Sequence, residues 1–99
     1  MRFSFDAEVW QWDARTDSAW FFVSLPVEAS EDIRELPRIP RGFGAVKVRA
    51  RIGEAQWSTS IFPDATVGTY VLPLKRSVRK AQDLHLGSVA RVDLEVIEG

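Results

Sequence analysis

Apolar and polar residues alternate from the start of the chain. Phe3, Phe5, Ala7 and Val9 take one parity and Ser4, Asp6 and Glu8 the other. A period of two predicts a strand with one buried face. Trp10 and Trp12 fall on the opposite parity, which predicts a bulge near Val9 and Trp10 or a strand buried on both sides. Turn formers fill 13–18. The nearly unbroken apolar run 19–25 then predicts a second strand, buried on both faces and hairpinned to the first. Pro26 has no N–H to give a ladder and ends it. Residues 27–36 predict a short helix, acidic near its start, with Ala29, Ile33 and Leu36 on one stripe. Pro37, Pro40, Gly42 and Gly44 mark an irregular crossing.

The second half has the clearer pattern. Val46, Val48, Ala50 and Ile52 alternate with Lys47, Arg49 and Arg51, so 45–52 reads as a strand with one charged face. Gly53-Glu54 suits a two-residue turn into a partner strand over 55–62, with Trp57, Thr59 and Ile61 on one face. A loop over 63–68 leads to a fifth strand over 69–74, where Pro73 stands at the end and its missing donor does little harm. Residues 75 to about 84 predict one or two helical turns. The sixth strand covers 88–98, with Ala90, Val92, Leu94 and Val96 inward and Arg91, Asp93 and Glu95 outward. Six strands and two short helices predict an all-β (mainly β) domain spanning 1–99. A closed six-stranded β-barrel would hide the strand edges.

Charge changes the picture more than composition does. The 99 residues are 45% hydrophobic and 27% charged, a globular balance. The net charge of −1 conceals segregation: residues 1–35 carry −5, 36–80 carry +7 and 81–99 carry −3. A basic middle between acidic ends suggests an anionic partner. The favoured reading is that the fold interleaves the segments and neutralises them. There is no cysteine, which excludes disulfides, thiolate zinc sites and a cysteine nucleophile. The first residues lack the apolar core of a signal peptide. No apolar run approaches the ~18 residues of a membrane helix. A cytoplasmic protein without membrane partners is expected.

Candidate chemistry is sparse. No phosphate-cradling glycine loop, Gly-x-Ser-x-Gly or His-Glu-x-x-His is present. No cofactor, metal site or catalytic residue is expected, and a binding or accessory role is favoured over an enzyme. His85 is the only histidine and reads as a surface-loop residue. Asp64 is the best-placed acid for chemistry, though aspartate in such a loop more often caps its own turn. Of the four tryptophans, Trp20 and Trp57 lie on apolar faces and are expected in the core. Trp10 and Trp12 break parity, so with Asp64 they make a candidate pocket. The densest signal is Lys75, Arg76, Arg79 and Lys80. Helical spacing places Lys75 and Arg79 on one face and Arg76 and Lys80 on the adjoining one. Cations at a helix start oppose the dipole, which favours either a bound anion or pairing with Asp64, Asp93 or Glu95. Lys47, Arg49 and Arg51 extend this candidate anion-binding surface.

The runs Ser60-Ile61-Phe62-Pro63-Asp64, Gly68-Thr69-Tyr70-Val71-Leu72-Pro73-Leu74-Lys75 and Val78-Arg79-Lys80-Ala81, with Gly87 and the earlier Trp20-Phe21-Phe22-Val23-Ser24-Leu25-Pro26, resemble the bacterial family called domain of unknown function 1905. The resemblance implies a small double-split barrel and no established activity. The chain departs from the family in having Gly87-Ser88 where Gly-Asp is usual. A fainter resemblance is to the AbrB-like swapped-hairpin proteins, which share the order strand, proline, basic helix, glycine turn, strand. It implies nucleic-acid binding by a dimer. That alternative is disfavoured because the acidic ends would repel a duplex. The leading expectation is an accessory domain that binds an anionic ligand or a protein partner through the basic surface. A small ligand-pocket protein or enzyme using Asp64 and the tryptophans is the weaker alternative.

Overall fold

The computed structural model describes residues 1–11, 20–36 and 44–97. Trp12, the polar turn over 13–18 and residues 37–43 of the crossing lie outside the described residues. Seven strands and two helices follow one another as β1 (Arg2–Glu8), β2 (Trp10–Gln11), β3 (Phe21–Ser24), α1 (Val27–Arg34), β4 (Val46–Ile52), β5 (Ala55–Asp64), β6 (Thr69–Pro73), α2 (Arg76–Ala81) and β7 (Val89–Val96).

All pairings are antiparallel, in the order β1-β7-β4-β5-β6-β3-β2. The strands form an open half-barrel, which corrects the expectation of a closed six-stranded barrel. The parity break at Trp10 produces the difference. β1 pairs with β7 as far as Glu8, whereas Trp10 and Gln11 pair with Phe22 and Phe21 of β3. Between them Val9 is fully buried; its N–H donates to the Ser88 carbonyl and its carbonyl accepts from the Gly87 N–H. One predicted strand is therefore two, and these are the two ends of the sheet order. Because they are one stretch of chain turned at Val9, they cannot lie side by side as a ladder.

β5 makes the other handover. Its residues Ala55 to Ile61 pair with β4, and Phe62 to Asp64 pair with β6. Pro63 and Asp64, expected in a loop, thus extend this strand to Asp64. A strand shared between two half-sheets is how antiparallel layers turn a corner. The β4–β5 hairpin closes through Gly53-Glu54, where Gly53 takes φ +59°, a conformation that costs glycine little and other residues more.

The strict alternation of β4 survives intact: its four apolar residues are buried and its three cations exposed. β3 is buried on both faces at Phe22 and Val23. One apolar cluster joins Val9, Val23, Ile33, Val48, Ile61, Leu72 and Val92. Helix α1 closes over it through Ala29 and Ile33, and Ser30, also fully buried, accepts the Tyr70 N–H at 3.0 Å. Arg34, in the last turn of α1, donates to the Gly68 carbonyl at 3.1 Å and lies over the Tyr70 ring. These contacts fix the entrance to β6 and therefore the strand that leads into α2.

Candidate functional site

The basic residues divide between two surfaces. On the first, β4 is flanked by β7, and charges stand directly opposite each other. Arg49 faces Glu95 and Arg51 faces Asp93 in the ladder, with nitrogen–oxygen separations of 3.3 and 3.2 Å. β1 continues the pattern. Arg2 reaches Glu95 at 3.5 Å, Arg91 reaches Asp6 at 3.3 Å, and the Ser4 hydroxyl donates to Asp93. Cross-strand opposite charges stabilise a sheet modestly, and exposed pairs contribute little each. Here the acidic ends neutralise part of the basic middle, as interleaving predicts. Lys47 stands opposite Ser60 and has no ion pair among the described residues.

The Ser4 hydroxyl, first, and the Arg51 guanidinium, next, hold the Asp93 carboxyl below its ordinary value of 3.8. A depressed folded value contributes stability that is present above the unfolded value and lost as pH falls through the folded one. Urea midpoints measured from pH 5 downward should therefore fall through and below about pH 4, and less steeply in Asp93→Asn. An identical pH profile in that variant would contradict the assignment.

The second surface lies on the other side of β5. Trp20, Phe21, Trp57, Ser58, Thr59, Pro73, Leu74 and three cations, Lys75, Arg76 and Arg79, line a cleft of 510 Å³. The chain brings them together because β6 ends at Pro73 and α2 begins three residues later. Leu74 continues the β3–β6 ladder by one residue, its N–H donating to the Phe21 carbonyl at 2.8 Å. That bond seats Lys75 and Arg76 beside Trp20 and Phe21. Arg79 is held twice: its Nε donates to the Leu74 carbonyl at 3.1 Å, and its guanidinium carbon sits 4.2 Å from the Phe21 ring centre. Neither contact occupies the terminal nitrogens of its fork. No carboxylate pairs with Lys75, Arg76, Arg79 or Lys80 among the described residues.

The acids expected to neutralise this cluster are engaged elsewhere. Asp93 and Glu95 hold Arg51 and Arg49. Asp64 caps its own turn, its Oδ1 accepting from the N–H groups of Thr66 at 2.8 Å and Val67 at 3.1 Å. Nor do all four cations stand at a helix start, as their spacing suggested. α2 has six residues, and Arg79 and Lys80 lie in its last turn, where the dipole favours cations. The site is therefore a cleft between strands and helix, with its charge carried by side chains. Arg76, Arg79 and Lys80 also line a neighbouring depression with Asp83 and His85, although no ion pair joins Asp83 to these cations among the described residues. There His85 Nε2 lies 2.8 Å from Asp83 Oδ1, both exposed.

The candidate pocket of Trp10, Trp12 and Asp64 does not assemble from the described residues. Half-buried Trp10 donates its Nε1–H to the Ser24 hydroxyl at 2.9 Å and packs on Phe22, so it clamps the β2–β3 hairpin. It lines a different cleft, with Asp6, Glu8 and Ser24 and without Asp64. Trp12 lies outside the described residues.

Trp20 is the residue sequence reasoning misplaced. It was expected in the core, yet it stands 55% exposed at the mouth of the basic cleft, its ring stacked on Phe22. The available signal was its position two residues after the polar run over 13–18. Trp57 is buried as expected, but its indole N–H has no hydrogen-bond partner among the described residues. No helix among the described residues is long and apolar enough to cross a membrane.

The family described as Domain of unknown function (DUF1905) has a model that matches residues 5–94, nearly the whole chain. No curated protein matches it.

Proposed function

The chain belongs to the DUF1905 family, and from the geometry of its basic cleft we propose that it is a binding domain for an anionic ligand. The supporting observation is that Lys75, Arg76 and Arg79 line one cleft with no carboxylate to neutralise them among the described residues. Unpaired cations beside an apolar wall attract a counter-charge more strongly than cations in open water. A guanidinium with its terminal nitrogens unoccupied also offers two parallel donors to a carboxylate or phosphate. Part of the ordering cost of binding is already met, because two contacts hold Arg79 in place.

The same charges suit a duplex poorly. Arg49 and Arg51 are paired with acids, which leaves a basic patch of four residues at 75–80. Non-specific duplex affinity comes from the phosphates a protein neutralises, and so small a patch neutralises few.

Titration of the isotopically labelled protein with phosphate, at constant ionic strength maintained with chloride, tests the proposal by NMR. Saturable amide shifts are expected at Phe21, Thr59 and 75–79, with Arg49 and Arg51 unmoved. Shifts that track ionic strength over all exposed charges, without saturation, would overturn it.

A further inference from the structure

The cleft offers more than charge. Its volume of 510 Å³ falls among small-molecule sites and exceeds the room one inorganic anion needs. Its apolar lining is largely aromatic, and the rings are held in place. Trp20 lies within 14° of parallel to Phe22 at 6.4 Å between centres, so its exposed indole is backed by a buried ring. A tryptophan 55% exposed keeps a large apolar area in water that a flat partner would cover. Phe21 already carries the Arg79 guanidinium on its ring at 4.2 Å, a cation–π arrangement that orients the charged plane alongside the aromatic wall. The hydroxyl residues Ser58 and Thr59 complete the lining with polar groups.

We infer that the cleft takes a small-molecule anion built on a flat aromatic body, its negative group on Lys75, Arg76 and Arg79 and its ring against Trp20 and Phe21. The inference rests on the anion-binding reading above and narrows it. An aromatic ring gains stacking against Trp20 and contact with the cationic plane. A saturated body of equal charge gains neither.

Four probes separate the contributions by calorimetry: 2-naphthoate, its saturated analogue decahydro-2-naphthoate, the neutral 2-naphthamide and inorganic phosphate. 2-Naphthoate should bind about tenfold or more tightly than either organic analogue. Trp20→Ala, at an exposed position, should weaken 2-naphthoate by about tenfold and leave phosphate unchanged. If the saturated acid binds as tightly as the aromatic one and Trp20→Ala changes nothing, the aromatic inference is wrong while anion binding stands. Equal binding of 2-naphthamide and 2-naphthoate would show that the charge plays no part and would overturn the inference from the other side. Binding of none of the anions, phosphate included, would remove the anion-binding reading and this one with it.

Discussion

Replacing Trp57 by alanine should destabilise the domain by about 3–5 kcal/mol. The side chain is 7% exposed and stands opposite Ala50 in the β4–β5 ladder, so truncation leaves a void that a small partner cannot fill. For a domain of ordinary stability, about 5–15 kcal/mol, that is a large fraction. The indole N–H should contribute nothing to the loss, since it makes no hydrogen bond among the described residues. An unsatisfied buried donor costs about 1–3 kcal/mol where it stands. Trp57→Phe, which keeps most of the ring and removes that donor, should therefore lie much closer to wild type than to alanine. Denaturant unfolding of both variants measures this. A loss below about 1 kcal/mol for Trp57→Ala would place the side chain at the surface and contradict the packing described.

Much of this fold was legible in the residue pattern. β4 and β7 follow strict alternation, and each buries the face its parity assigns. The stripe Ala29–Ile33 marks the buried side of α1, and Pro26 and Pro73 stand where strands finish. What the pattern concealed was partner exchange. Parity reports which face a residue takes, not which neighbour it pairs with. The switch at Val9 from β7 to β3, and that of β5 from β4 to β6, therefore read as a bulge and a loop end. The handover at Val9 makes two strands of one, so that there are seven in an open order where six in a closed barrel were expected.

The candidate site was legible in part for a related reason. Lys75, Arg76 and Arg79 stood out as a dense basic run, and the cleft contains all three. Arg49 and Arg51 belong to the same charge block in sequence, yet cross-strand register commits them to Glu95 and Asp93, a pairing that only the strand order discloses. Trp20 looked like core because its neighbours are apolar. Its exposure follows from its place one residue before β3 begins.

The second large effect is the loss of anion-dependent stabilisation when the cluster is neutralised. Lys75 and Arg76 are exposed and unpaired among the described residues, so Lys75→Gln/Arg76→Gln should remove charge without removing packing. A ligand that binds only the folded state stabilises it by about 2.7 kcal/mol at a hundredfold excess over its Kd. Phosphate near that excess should therefore raise the wild-type melting temperature by about 10–20 °C, at about 4–8 °C per kcal/mol for a domain of this size. In the double variant most of that rise should disappear.

Thermal denaturation of wild type and Lys75→Gln/Arg76→Gln, each with and without phosphate at constant ionic strength, tests the central claim most directly. The account predicts a saturable rise for wild type, and a variant that melts near the phosphate-free wild type whether or not phosphate is present. A wild type indifferent to phosphate, with a variant that loses stability equally in both buffers, would mean that the cluster supports the fold, and would contradict the claim that the cleft is an anion site.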